Sequence, residues 1–245
     1  MNRKSSQPDS SNSAQPPPGW LDLYDYRRRV AAMYRERARS LQAGEDEQVV
    51  LEKFRTTKNL LFADHPQSAL TAEQRAGFAG LSYFPYNPDF RVTALLTSYS
   101  PSYSSSDEVI LAADGPHTLP MRRAARLDFE IVGTPLQLTV YWLDVYGGGL
   151  FLPFSDATCP QESYGGGRYL FDTVKGSDFL QVNADGTLGT APDDVAHGYA
   201  GGEVVLDFNY AYNPSCAYDW RWVCPLAPPE NRLTLAVRAG EKKFA

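Results

Sequence analysis

No stretch of the chain approaches the ~20 consecutive apolar residues of a membrane-crossing helix, so no membrane role is expected. Positive charge is in deficit, with 23 Lys and Arg against 29 Asp and Glu and a formal net charge of −6. Nucleic acid is therefore not an expected partner, because no basic stripe offsets the acidity. The cluster Arg27, Arg28, Arg29, Arg35, Arg37 and Arg39 lies among acids in a helical pattern and reads as a solvated helix face. Histidine is scarce: His65, His117 and His197 all fall outside the strongest motifs, which disfavours Cys-His and Ser-His catalysis. Neither GxSxG nor HExxH occurs. The cysteines are three, Cys159, Cys216 and Cys224, an odd number without an export signal, so a disulfide framework is not expected. Two neighbouring cysteines without histidine do not make a zinc site, and neither metal nor cofactor is expected. Residues 1–18 lack the apolar segment of a secretory signal. They are rich in Ser, Pro, Gln and Asn and read as a disordered tail whose deletion leaves the melting temperature unchanged. A cytoplasmic location is the expectation.

What the chain does have is two glycine runs. Tyr146-Gly147-Gly148-Gly149 is followed by Tyr164-Gly165-Gly166-Gly167-Arg168-Tyr169. Glycine weakens the interior of a regular element, so such runs signal special backbone angles or close approach. They are not phosphate loops of the strand–glycine–helix kind, since strand patterns follow both. Two readings stand: tight turns, or a backbone nest for a small anion.

An apolar period near 3.6 runs from Trp20 to Leu41 and predicts a helix. A second is predicted from Asp46 to Phe62, with Val50, Phe54, Leu60 and Leu61 inward, stopped by His65-Pro66. Thr71-Ala72-Glu73-Gln74 matches a capping box and starts a short third helix. After Gly80 the period becomes two. Strands are predicted over residues 91–99, 127–131, 136–142, 150–154, 169–174, 203–210 and 233–238, with Gly133-Thr134-Pro135 linking a hairpin. The segment Asn183 to Gly202 is a polar insertion. The fold class is therefore mainly β, an antiparallel sandwich or barrel-like sheet with N-terminal helices packed on one face or plugging one end. The expected organisation is a tail over 1–18, a helical extension over 19–79 and a β domain over 80–245.

The motif carrying Tyr146 to Phe154, Asp156-Ala157-Thr158 and Tyr164 to Leu170 resembles the DUF1684 family, bacterial and archaeal proteins without an established activity. So do Phe84-Pro85-Tyr86-Asn87-Pro88, the run Asp207 to Tyr218, Cys224-Pro225-Leu226 and Pro228 to Leu233. The resemblance spans about Tyr24 to Lys242. It implies no substrate and no catalytic residue. In one respect the chain departs from the pattern: Ser155 stands where the resemblance implies a basic residue.

The chemistry-bearing candidates fall into three groups. Arg168 is placed to grip a carboxylate, either a ligand's or that of Asp156 or Glu162, with the internal pair preferred. Asn209, Tyr212, Asn213, Ser215, Cys216 and Tyr218 form a dense polar cluster, read as a pinned turn or as a pocket wall. Asp156, Glu162 and Glu230 are the candidate acid–base carboxylates, which would act as a pair only if they share one pocket. The leading expectation is a protein that binds a small polar or anionic metabolite through Tyr146, Tyr164, Arg168, Tyr169, Asn209, Tyr212 and Asn213. A hydrolase or lyase using paired carboxylates, and a structural or interaction protein with no small-molecule site, are the alternatives. Tyr164, Arg168, Tyr169, Asn209 and Asn213 are expected to converge. Cys216 and Cys224 are expected to meet as reduced, packed thiols, since the aromatic loop between them folds back on itself.

Overall fold

The computed structural model of the chain describes residues 19–99, 108–112, 118–183, 186, 188–189 and 202–244. The segment 1–18, most of the polar insertion, His117 and His197 lie outside them.

Two long helices lead. α1 runs Trp20–Gln42 and α2 runs Glu47–Asp64. The Asp46 carboxylate caps α2 by accepting from the Val49 N–H at 3.0 Å. The helix ends at His65, which is extended as the residue before a proline tends to be. α3 is a single short piece, Ala72–Ala76, with the reciprocal Thr71–Gln74 cap that its sequence predicts. The inward faces differ from expectation at both helices. Leu60, Trp20 and Tyr24 are exposed. Arg37 is buried rather than solvated: its guanidinium lies over the rings of Tyr34 and Tyr210 and donates to the Asp178 carbonyl at 2.9 Å.

Nine described strands form one sheet: β1 Arg91–Ser98, β2 Glu108–Ala112, β3 Thr118–Ile131, β4 Thr134–Leu143, β5 Gly149–Phe154, β6 Arg168–Asp172, β7 Leu180–Val182, β8 Leu188–Gly189 and β9 Gly202–Asp207. The order is β6-β5-β4-β3-β1-β9-β7-β8, with β2 also on β3, and each ladder is antiparallel. The sheet curls like half a barrel, so of the two expected forms it takes the barrel-like one. Alternation along β9 shows how it is covered. Val204 and Leu206 join the main core with Leu127, Leu138, Leu152 and Phe154, whereas Val205 packs with Ala38 of α1 and Leu180 of β7. The helical pair therefore covers one face of the sheet, and the main core fills the other.

Several elements differ from the sequence pattern: β2, β7 and β8 fall where no strand is predicted, and β3 begins at Thr118, nine residues before its predicted start. The β3–β4 hairpin turns at Val132-Gly133, and Thr134 and Pro135 already belong to β4. The expected strand 203–210 stops at Asp207, where the side chain accepts from the Asn209 N–H at 3.0 Å and starts a tight helical turn, Phe208–Tyr210. The segment 233–238 is not a strand. Its Val237 carbonyl accepts from a buried guanidinium, and its Leu235 carbonyl from the Ala157 N–H, instead of joining a ladder.

Candidate functional site

Arg168 opens β6 and is completely buried. Its guanidinium donates to Asp156 Oδ2 at 2.8 Å and to the carbonyls of Val237 at 2.8 Å and Glu241 at 3.1 Å, and to that of Ala239. Asp156 Oδ1 in turn accepts from the N–H groups of Thr158 at 2.8 Å and Val237 at 3.1 Å. This pair holds the C-terminal segment against the sheet. The internal pairing expected for Arg168 is the one present, and it leaves the guanidinium inaccessible to a ligand. Asp156 thus has its charge partner in Arg168, and Ser155 joins the chain through its backbone, to the carbonyl of Asn231 at 3.0 Å and the N–H of Leu233 at 2.8 Å.

The three carboxylates do not share a pocket. Each is held by a different arginine. Asp156 pairs with Arg168, and exposed Glu162 forms a forked pair with Arg238 at 2.9–3.1 Å. Glu230 is gripped at both oxygens by Arg123, at 2.8 and 3.1 Å, and accepts from the Tyr141 hydroxyl. Burial works to raise the Glu230 pKa, but the donors Arg123 and Tyr141 outweigh it and keep the carboxyl low and ionised. A shared acid–base pair of these three is therefore not formed.

The glycine runs are turns. The first joins β4 to β5: Gly148 takes φ +48° and a Cβ there would lie 2.2 Å from the Trp142 ring. Tyr146 beside it is wholly exposed and lines none of the cavities described here. In the second run Gly167 takes φ +89°, and a Cβ would meet the Phe154 carbonyl at 2.6 Å, so only glycine lets β6 start against β5. Tyr164 points instead to Cys216, its hydroxyl 3.5 Å from the sulfur. Asn209 also serves the backbone. Its amide accepts from Asn87 N–H at 3.0 Å and donates to Asn87 O at 2.9 Å, splicing the loop before β1 to the end of β9. Asn231, another member of the sequence motifs, does the same for Thr139 and Pro153 at 2.7–2.8 Å.

Three of the expected binding residues do meet, at a cavity of about 80 Å³ between the helices and the sheet. α1 presents Tyr26, Val30, Met33 and Tyr34, and α2 presents Phe54, Lys58, Leu61 and Phe62. Both sets follow the i, i+4, i+7, i+8 spacing that places side chains on one helix face. From the sheet come Tyr169 of β6, Lys175 and Ser177 of the turn after it, and Tyr212, Asn213, Ser215 and Tyr218 of the loop after β9. Backbone bonds between Tyr169 and Tyr212 at 2.8 and 3.0 Å tie those last two segments together. Arg168 and Asn213 are linked through Glu241: Asn213 N–H donates to Glu241 Oε2 at 2.7 Å, and Arg168 donates to the Glu241 carbonyl at 3.1 Å.

The electrostatics of this cavity are one-sided. Its charged lining residues are two lysines. Glu241 stands behind the wall, pairing with Lys58 at 2.5 Å and accepting from the Tyr218 hydroxyl at 2.6 Å. Asp172 lies 3.4 Å from Lys175. The Lys58 ammonium sits 4.8 Å from the Tyr212 ring centre. Burial pushes the phenols of Tyr26, Tyr34, Tyr212 and Tyr218 above their ordinary range, and for Tyr218 the Glu241 charge adds to it. They remain neutral donors at physiological pH. Asn213 donates through Nδ2 to Lys242 O at 2.8 Å, but its buried Oδ1 has no hydrogen-bond partner. Such a buried orphan acceptor costs on the order of 1–3 kcal/mol until something donates to it.

The sequence did not single out Lys58, Lys175, Ser177, Tyr26 or Glu241. Lys58 had a readable signal, a lysine four residues after Phe54 and four before Phe62 on the apolar face of α2. Glu241 had none, because only the fold brings the C-terminal segment under the cavity.

These features define a class: a curled antiparallel sheet capped by a helical pair, with a small aromatic-walled, lysine-bearing cavity between them. The chain belongs to the DUF1684 family, described as proteins of unknown function, whose pattern matches residues 76–242. The match begins after α1 and α2, so half of the cavity wall comes from residues outside it. Among solved structures, an uncharacterised protein of Haloarcula marismortui, determined by NMR in solution, is similar at 35% identity and a TM-score of 0.53, over 78% of this chain and 91% of that one. Comparison with curated proteins returned no match. No helix among the described residues is long and apolar enough to cross a membrane, and no described cluster of His, Cys, Asp and Glu is suited to a metal ion.

Proposed function

We propose that this protein binds a small anionic metabolite in the cavity between the helical pair and the sheet. The observation that carries this reading is the charge of the lining: the charged side chains facing the cavity are Lys58 and Lys175. Their carboxylate partners Glu241 and Asp172 lie behind the wall. A bound anion adds a second acceptor to each ammonium without displacing the first, since each carries three donors. Asn213 Oδ1 supplies an acceptor, which selects a ligand that also carries a hydroxyl or an amino group. At about 80 Å³ the cavity suits a ligand no larger than a short hydroxy- or amino-carboxylate or a phosphate, given the ~30 Å³ that one water takes in the liquid. The neutral tyrosine walls give such a ligand its apolar contacts and hydroxyl donors. A cytoplasmic setting is part of the proposal and rests on the sequence alone.

The test is a thermal-shift screen against short carboxylates, hydroxy acids, amino acids and inorganic phosphate. A ligand that binds only the folded state raises the melting temperature in proportion to the logarithm of its excess over Kd. At least one anion of this size is expected to raise it, with Lys175→Met weakening the shift. No shift from any of them, in a protein that melts cooperatively, contradicts the proposal.

A further inference from the structure

Cys216 and Cys224 stand together in the fold, and neither takes part in the binding proposed above. The loop between them, residues 217–223, carries Tyr218, Trp220 and Trp222 and folds back so that the Cys216 N–H points at Cys224 Sγ, 3.3 Å away. On the other side of the pair the Tyr164 hydroxyl lies 3.5 Å from the Cys216 sulfur. An N–H aimed at a sulfur favours a thiolate there, as at the start of a helix. The loop is anchored on both sides. Arg221 donates to the carbonyls of Ser68 and Leu70 at 3.1 Å, and the Trp222 indole to Ala69 at 3.2 Å. Cys216 also lines a surface pocket of about 470 Å³ with Thr71, Gln74, Trp220 and Arg221, whereas Cys224 sits behind it with 2% of its surface exposed. Both cysteines are buried, but Cys216, at 9% exposed, is the one that reaches the pocket, and Cys224 is held against it.

We infer that Cys216 and Cys224 form an oxidisable dithiol, a modification site in which Cys216 meets a hydroperoxide and Cys224 resolves the product to a disulfide. The pair shares one proton. Its transfer from Cys216 to Cys224 leaves a thiolate at the mouth of the pocket. That sulfur attacks the terminal oxygen of the hydroperoxide, an S–O bond forms, the O–O bond breaks, and the alkoxide or hydroxide leaves with the proton from Cys224. The Cys224 thiolate then attacks Cys216 Sγ, the S–S bond forms, the S–O bond breaks, and hydroxide leaves to be protonated by solvent. Two sulfurs lose one electron each and the peroxide gains both. The lowered pKa of Cys224, caused first by the Cys216 hydrogen bond and then aided by the Lys175 charge, agrees with this geometry.

Cys159 is a built-in control. It is more exposed than either member of the pair, and its sulfur has a hydroxyl neighbour, Ser163 at 3.2 Å. Accessibility alone would oxidise Cys159 first. The experiment treats the full-length reduced protein with limiting hydrogen peroxide, counts thiols, and maps the products by peptide mass spectrometry. The expected result is loss of two thiols together, a Cys216–Cys224 disulfide, retention of Cys159, and recovery of all three with dithiothreitol. In Cys224→Ser the reaction is expected to stop at a Cys216 sulfenic acid that dimedone traps. Oxidation of Cys159 ahead of the pair overturns the inference, and so does peroxide consumption by the pair no faster than in the unfolded chain. These measurements on the unmutated protein decide the matter even if the serine variant does not fold.

Discussion

A guanidinium with no exposed surface is costly unless it finds acceptors, and the two terminal nitrogens of Arg168 find them in Asp156 and three carbonyls of the C-terminal segment, while Nε has none. Removing one partner is worse than removing both. Asp156→Asn leaves the cation buried without its counter-charge, and it is expected to cost about 3–5 kcal/mol in urea unfolding. A loss below the ~1 kcal/mol of an exposed ion pair would show that the pair contributes little. Cys224 gives a second residue-level expectation. Its thiol is lowered from an ordinary value near 9 to about 6 in the fold. Between those values the unfolded chain binds a proton that the folded chain does not, so stability rises with pH across the window and the contribution disappears as pH falls through the lower value. Urea midpoints of the reduced protein minus those of Cys224→Ser should therefore grow from about pH 6 towards 9. A pH-independent difference would mean that Cys224 acts by packing alone.

At the scale of elements, the β3–β4 turn carries a strained residue. Val132 takes φ +48°, a region that costs a β-branched side chain on the order of 1–3 kcal/mol, and its side chain is exposed and packs on little. A two-residue turn followed by glycine at the second position favours Asn or Asp at the first. Val132→Asn is expected to stabilise by about 0.5–1 kcal/mol, measured as a raised urea midpoint with unchanged slope. A neutral or lowered midpoint would show that Val132 contributes more through contacts than it loses in strain. The helices and the central strands were legible because their apolar period is long and their caps are explicit, as at Asp46, Thr71 and Pro66. The end of β9 and the segment 233–238 were not. There, side chains compete with the ladder: Asp207 turns the chain into a helical turn, and Arg168, more than sixty residues upstream, takes the Val237 carbonyl. Alternation in a window of eight residues contains neither fact. The polar cluster after β9 was visible as composition, and it divides in the fold. Asn209 splices backbone, Tyr212, Asn213 and Ser215 face the cavity, and Cys216 faces the other way.

For the whole molecule, the cavity exists only because three distant parts of the chain close on it, the helical pair, the β6 region and the loop after β9, with Glu241 of the C-terminal segment behind the wall. Glu241 could not be recognised as a partner of Lys58 until that closure was known. The most direct measurement is a ¹H–¹⁵N NMR titration of the full-length protein with the anion that gives the largest thermal shift. The account predicts saturable shifts concentrated at Lys58, Tyr169, Ser177, Tyr212 and Asn213, which Lys175→Met weakens without altering the rest of the spectrum. Shifts that gather elsewhere, such as the groove of about 830 Å³ lined by Asp25, Arg29 and Glu36 of α1 and Lys53 and Asp64 of α2, or a spectrum unchanged at saturating ligand, would contradict it.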